Sequence, residues 1–87
     1  MALRTIHKFH IPIKDRVVIP MPEGSYVLTA FVQDLRAFLW AEVDTSMLLE
    51  ARKFAVVGTG NPLPEGGKLY IATFQMPPFI WHLYELN

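Results

Sequence analysis

Apolar and polar residues alternate in short runs along the chain, and proline and glycine separate the runs. The runs are rich in Val, Ile, Phe, Tyr and Trp, which suit a pleated, half-buried strand. No window keeps the three-and-four spacing of an amphipathic helix over three turns. Seven strands are therefore predicted, at Arg4–Ile13, Arg16–Ile19, Tyr26–Gln33, Ala37–Asp44, Arg52–Val57, Lys68–Met76 and Phe79–Leu86.

The number and spacing of these strands predict the fold class. We expect a single all-β domain over residues 1–87, built as a small antiparallel sandwich or a partly closed barrel of about six or seven strands. Pro12 has no amide hydrogen, which favours a sheet edge for the first strand. The only helical feature expected is one turn from Ser46 to Glu50, capped by Ser46.

The segment Asp34–Arg36 is short enough to predict a hairpin between the two strands that flank it. Tyr26–Gln33 and Ala37–Asp44 are apolar on both faces, which is typical of strands at the centre of a structure. Phe38 and Trp40 share a face and are expected to anchor the core. Full burial of Trp40 predicts a cost of ~3–5 kcal/mol for Trp40→Ala. An unchanged melting temperature would instead make Trp40 an exposed binding residue.

Composition narrows the class of protein. Hydrophobic residues make up 52% of the chain, more than in an average soluble domain. So much apolar surface predicts a subunit interface, most simply that of a symmetric homodimer. Eight basic and eight acidic residues give a formal net charge of zero, which disfavours a nucleic-acid partner. The chain has no cysteine and no apolar run long enough to span a membrane, so we expect a cytoplasmic protein.

The three histidines do not form a predicted metal site. His7 and His10 are three residues apart, which places them on opposite faces of a strand. His82 lies on another strand, and a shared site would need it to meet His7 and a carboxylate. Structural or exposed histidines are the simpler interpretation, and no metal or other cofactor is predicted.

Catalytic groups are not predicted either. Ser25 and Ser46 lie in turn or cap contexts, and neither sits in a Gly-x-Ser-x-Gly elbow. Glu42 and Asp44 share a strand face and would suit a carboxylate pair, but polar residues also alternate where a strand emerges into solvent. The sequence therefore favours a non-enzymatic protein.

The loop Gly58-Thr59-Gly60-Asn61 is the best candidate for ligand binding. Glycines let successive backbone amides converge on an anion, and the Thr59 and Asn61 side chains would add donors. The predicted ligand is a small anionic, nucleotide-like molecule, held by the amides of Gly58, Thr59 and Gly60. The alternative is an ordinary glycine-rich turn that leads into Pro62.

Aromatic residues make up 13% of the chain and crowd its final third. Most are expected in the core, although a stacking platform for bases is a further interpretation. The run Phe79–Leu86 is expected at a subunit contact, with Phe79, Trp81 and Tyr84 as interface residues.

Five segments together carry a resemblance: "TIHKFHIPI", "FLWAEVD", "FAVVGTGNPLP", "YIATFQ" and "FIWHLYE". In this order they span nearly all of the chain, which resembles a family of short all-β phage and prophage proteins of unknown function. That family brings no known catalytic or ligand-binding residues. The hairpin "VQDLRAF" has no glycine, so the type of its turn is left open.

The resemblance implies three classes of function. The first is a phage-type binding protein that acts against a host factor or defence component in the host cytoplasm. The second is an oligomeric protein that sequesters a small nucleotide-like ligand. The third is a structural virion or assembly component.

Overall fold

The computed structural model describes residues 3–87 and contains seven strands. Their bounds are β1 Arg4–His10, β2 Arg16–Pro22, β3 Tyr26–Gln33, β4 Arg36–Asp44, β5 Leu49–Gly58, β6 Lys68–Met76 and β7 Phe79–Leu86. The described residues include no helix of the length and hydropathy that a membrane crossing requires. The all-β prediction is confirmed.

The strands form two sheets, one in the order β1-β4-β3 and the other in the order β2-β5-β7-β6. Every pairing is antiparallel. β3 lies beside β6 where the two sheets approach each other, but no hydrogen-bonded ladder joins the sheets across the described residues. The barrel is therefore not closed, and of the two predicted architectures the sandwich is the one observed.

The core fills the single layer between the sheets. β4 directs small or medium side chains into this layer, namely Ala37, Leu39, Ala41 and Val43. The four-stranded sheet supplies the larger side chains of Met21, Phe54 and Leu83, all with 0% exposure. Large residues opposite small ones let the side chains of the two layers interdigitate.

The molecule is thin, since its Cα atoms extend over 46 × 32 × 15 Å. Two sheets about 10 Å apart fill the shortest dimension, and β3 and β4 each turn one face to the core and the other toward solvent. The strand that is buried on both faces is β5, at residues 54–57. The expectation that β3 and β4 are buried on both faces is therefore wrong. β4 does occupy the middle of its sheet, but Phe38 and Trp40 point outward from it.

The β3–β4 hairpin closes with two residues between the paired Gln33 and Arg36. Asp34 and Leu35 have φ values of 51° and 65°. Positive φ at both central residues is what a type I′ turn requires, and its twist matches that of the strands. The turn type left open by the sequence is thus of the I′ class, built without glycine.

Two strands are longer than predicted. β2 continues through Pro22 instead of stopping at Ile19, and β5 begins at Leu49 instead of Arg52. Proline is tolerated in β2 because this strand lies at the edge of its sheet.

Two further local predictions are wrong. β1 ends at His10 rather than Ile13, because the amide of Lys14 donates to the carbonyl of Pro12 at 3.0 Å and turns the chain. No helical turn follows Ser46 either. Instead, Oδ1 of Asp44 accepts hydrogen bonds from the Ser46 amide at 3.0 Å and the Ser46 hydroxyl at 2.6 Å. This local turn leads directly into β5.

Candidate functional site

The outer face of the three-stranded sheet carries a row of aromatic rings. The strand register pairs Lys8 with Trp40 and His10 with Phe38 across β1 and β4. It also pairs Phe31 with Phe38 across β3 and β4. Directly opposed residues share a face, so these side chains lie together on the surface away from the core. We call this surface the aromatic face.

The rings on the aromatic face are in contact with one another. Phe31 and Trp40 stack with centroids 3.9 Å apart and planes inclined by 12°. Phe38 meets Trp40 edge-on at 6.1 Å, and His10 meets Phe38 edge-on at 5.7 Å. Aromatic pairs of this kind contribute about 0.5–1.5 kcal/mol beyond their burial. The row is therefore an ordered surface that crosses all three strands.

Much of this row is open to solvent. Phe31 is 46% exposed, while Phe38 and Trp40 are half-buried. Ile6 and Tyr26, which both lie opposite Glu42 and hence on the same face, are 55% and 64% exposed. An apolar surface of this kind marks a site of interaction more often than a chance feature of a monomer.

Lys8 places a positive charge over the rings. Its Nζ atom donates to Oε1 of Gln33 at 3.0 Å and lies 4.5 Å from the centroid of Phe38. Both partners are neutral, and the interaction with the ring contributes about 0.5–1 kcal/mol at an exposed site. The ammonium group is thus oriented by neutral neighbours and free to meet a carboxylate from outside.

The aromatic face was not predicted from the sequence. Phe38 and Trp40 were expected in the core because they are the largest apolar residues of β4, and that expectation is wrong. Their common face was predicted correctly from the period of two. The overlooked indication was the opposite face of the same strand, where Ala37 and Ala41 leave room for large side chains from another sheet.

The predicted binding loop forms a turn at the end of β5. The amide of Asn61 donates to the carbonyl of Gly58 at 3.0 Å, and Gly60 has a φ of +92°. The amide of Thr59 donates to the carbonyl of Ile80 at 3.2 Å. The amides of Thr59 and Asn61 therefore already have acceptors within the chain.

One shallow cleft combines residues from both predicted sites. It has a volume of about 380 Å³, and its walls include Gly58, Thr59, Asn61, Phe79 and Trp81. A Cβ atom on Gly58 would lie 3.2 Å from Cζ3 of Trp81 and 3.0 Å from Nδ2 of Asn61. Glycine at this point thus lets the indole ring and the loop approach each other. Gly60 is not part of the cleft wall.

Tyr84 lies apart from the other predicted interface residues. It occupies the outer face of the four-stranded sheet, where it meets Tyr70 edge-on at 5.6 Å. Phe79 and Trp81 alternate with it along β7 and point to the other face. The three residues do not form one surface, and the homo-oligomer stays a prediction.

His82 ties the loop to the sheet. Its Nε2 atom lies 2.9 Å from Oγ1 of Thr59, and its Nδ1 atom lies 2.9 Å from Oγ1 of Thr73. The hydroxyl of Tyr70 extends the chain, 2.7 Å from Thr73. Because the Thr59 hydroxyl can donate to the carbonyl of Ile80, it accepts readily from Nε2–H. Nδ1 then accepts from Thr73, and every group has a partner.

Arg52 forms the ion pairs seen among the described residues, with Glu50 and Glu85. Within residues 3–87, no three His, Cys, Asp or Glu side chains come together as a metal site would require. The guanidinium of Arg52 makes two hydrogen bonds to the carboxylate of Glu85, at 2.5 and 3.0 Å, and one to the carbonyl of Ser25 at 2.9 Å. The hydrogen bonds to Glu85 raise the pKa of Arg52 above its ordinary value. The pair ties β5 to β7 and to the turn before β3.

Comparison with known proteins finds a family match for this chain. No curated protein and no solved structure matches the chain. The family model described as a domain of unknown function, DUF7352, matches residues 2–87. That match covers almost the whole chain, and the chain therefore belongs to the DUF7352 family.

Proposed function

We propose that this chain is a non-enzymatic binding protein that docks a protein partner on the aromatic face. The observation that supports this proposal is the stack of Phe31 on Trp40, with centroids 3.9 Å apart on a face open to solvent. Tryptophan is enriched among the residues that dominate binding energy. Rings that are already ordered also lose little conformational entropy when a partner covers them.

The surroundings of the rings suit a protein interface. Gln33 lies beyond Phe31 along β3, and Glu42 lies beyond Trp40 along β4, so polar side chains flank the rings at both ends of the row. The Nζ atom of Lys8 lies over the ring of Phe38. Protein interfaces have this arrangement, with aromatic residues at the centre and charged residues at the rim. The partner we expect therefore presents an apolar patch with polar groups around it.

The partner we propose is a host factor or defence component, met in the cytoplasm of a bacterial host by a phage-encoded protein. The resemblance of five segments of the chain to short phage and prophage proteins supports this origin. A structural role in the virion is the alternative. Detection of the chain in purified particles would favour the virion role over the host factor.

Co-purification of the tagged chain from its host tests the proposal. Trp40→Ser should lose a partner that the unmodified chain retains. Val18→Ser is the matched control, because Val18 is 60% exposed but lies on the outer face of the four-stranded sheet. Melting temperatures of both variants show whether the fold is kept. Equal recovery of the partner by Trp40→Ser and Val18→Ser would refute the proposal.

The cleft at the end of β5 supports a second candidate function, a homo-oligomer that sequesters a small anionic ligand. The supporting observation is that Thr59 and Asn61 share this cleft with Phe79 and Trp81. Thr59→Val should lower the amount of small molecule released on denaturation, as measured by mass spectrometry. Light scattering should show a dimer in this case. A monomer at high micromolar concentration with no released ligand would exclude it.

A further inference from the structure

β1 leaves one row of backbone groups without partners in its own sheet. The amide of Ile11 donates to the carbonyl of Ala37 at 2.9 Å, and the amide of Thr45 donates to the carbonyl of Leu3 at 3.0 Å. Both bonds continue the β1–β4 register. Hydrogen bonding alternates along an antiparallel ladder, so odd-numbered residues of β1 bond to β4. The N–H and C=O groups that point to the free edge belong to Arg4, Ile6, Lys8 and His10.

The other edges of the two sheets are protected. The amide of Val56 donates to the carbonyl of Asp15 at 3.3 Å, in register with the β2–β5 ladder. By the same alternation Pro20 and Pro22 fall where β2 would present N–H groups to its free edge, and proline has none. β3 and β6 lie beside each other. Among the described strands, β1 is therefore the free edge with a full set of donors.

β1 also has the shape that strand addition requires. It contains no proline, no bulge interrupts its pairing with β4, and all seven of its residues are exposed or half-buried. An extended peptide can pair with such an edge through its main chain. The side chains of Lys8 and His10 lie on the aromatic face, so a strand added here would widen that face.

The charges on β1 indicate which kind of strand can pair with its free edge. Arg4, Lys8 and His10 point to one face, and residues 3–10 include no acid. In an antiparallel pair with a second copy, the registers that centre on Ile6 or on Lys8 would place Lys8 opposite Arg4 or opposite its own equivalent. Like charges directly opposite each other destabilise a sheet. Arg4 already has Asp44 opposite it, whereas Lys8 has only neutral neighbours.

We propose that β1 pairs with an extended segment of the partner in which acidic residues alternate with apolar ones. The added strand forms its main-chain hydrogen bonds with Ile6 and Lys8, and its carboxylates lie on the aromatic face beside Lys8 and His10. The inference rests on the proposed protein-binding function and specifies the partner's chemistry.

Titration of the isotope-labelled chain with a short synthetic peptide of alternating glutamate and valine tests the inference by NMR. The amides of Ile6 and Lys8 should shift and exchange more slowly with solvent. The same peptide with lysine in place of glutamate should not bind. Lys8→Glu should weaken binding of the glutamate peptide by roughly tenfold, whereas Lys53→Glu, on the outer face of the other sheet, should not.

A backbone variant separates strand pairing from charge attraction. Ile6→Pro removes one N–H at the free edge and no bond to β4, so binding of the glutamate peptide should weaken by roughly tenfold relative to Ile6→Ala. Equal binding of both peptides, or equal binding by Ile6→Pro and Ile6→Ala, would overturn the inference. Amide protection in β1 that rises with protein concentration alone would instead identify a second copy. If Ile6→Pro keeps the partner that Trp40→Ser loses, the aromatic face binds without strand addition.

Discussion

Trp40 is the central residue of the proposed binding surface. Phe31 stacks on its ring, Phe38 meets it in an edge-on arrangement, and the side chain is half-buried. Leu39, the next residue, points the opposite way and has 0% exposure. Two adjacent residues of β4 thus have different roles, one in an exposed aromatic row and one in the core.

Stability measurements should separate these two roles. Leu39→Ala empties a fully buried site and should cost ~2–5 kcal/mol of the free energy of unfolding. Trp40→Ala removes a half-buried ring and one stacking interaction, so its cost should be about 1–2 kcal/mol. Urea denaturation of both variants checks this. A larger loss for Trp40→Ala than for Leu39→Ala would show that Trp40 is a core residue after all.

Leu35 is a second residue with an unusual environment, since it is 87% exposed with a φ of 65°. A left-handed conformation costs an L-residue about 1–2 kcal/mol, and the exposed side chain gains little from packing. Leu35→Gly should therefore stabilise the protein by about 0.5–1 kcal/mol, after the added flexibility of the unfolded chain is subtracted. Leu35→Ala keeps the left-handed penalty and serves as the control in urea denaturation. A destabilised Leu35→Gly would contradict this interpretation of the turn.

At the scale of the elements, the period of two along β4 predicted which residues share a face but not which face is buried. Both faces are apolar, and size alone favoured Phe38 and Trp40 for the core. The core face has Ala37 and Ala41 instead, because Phe54 and other large residues of the opposite sheet occupy the space. That information lies in the pairing of sheets and not in the local pattern.

The candidate sites were predicted less completely than the strands. Glycine and asparagine correctly indicated a turn after β5, but its proximity to Trp81 depends on the pairing of Gly58 with Trp81 across β5 and β7. The free edge of β1 was indicated by Pro12, although the strand ends before that proline. The strand register determines which residues direct their N–H and C=O groups to the free edge, and the sequence alone did not provide that register.

The turn between β4 and β5 should respond to acid. Hydrogen bonds from the hydroxyl and amide of Ser46 hold the pKa of Asp44 below its ordinary value of 3.8. Because the folded-state pKa is depressed, the turn is stabilised above pH 3.8 and loses this contribution as the pH falls below that value. Carboxyl NMR titration should show a higher Asp44 pKa in Ser46→Ala. An equal pKa in both proteins would contradict this role of the hydroxyl.

At the scale of the whole molecule, thinness explains why so apolar a chain leaves aromatic rings at its surface. A sandwich with a shortest extent of 15 Å has one layer between its sheets, and four of the residues in that layer are alanines. Hydrophobic residues make up 52% of the chain, and many of their side chains therefore lie at the surface. Three of them, Ile6, Tyr26 and Phe31, lie on the aromatic face that the proposed binding function uses.

Site-specific photocrosslinking in the host cell shows which face of the sandwich a partner contacts. A photoreactive phenylalanine analogue at Phe31 lies on the aromatic face, and the same analogue at Val18 lies on the opposite outer surface of the sandwich. We predict a defined protein adduct from Phe31 that disappears when Trp40→Ala is added, and no such adduct from Val18. The same adduct from both sites, or one from Val18 alone, would contradict the claim that the aromatic face is the binding surface.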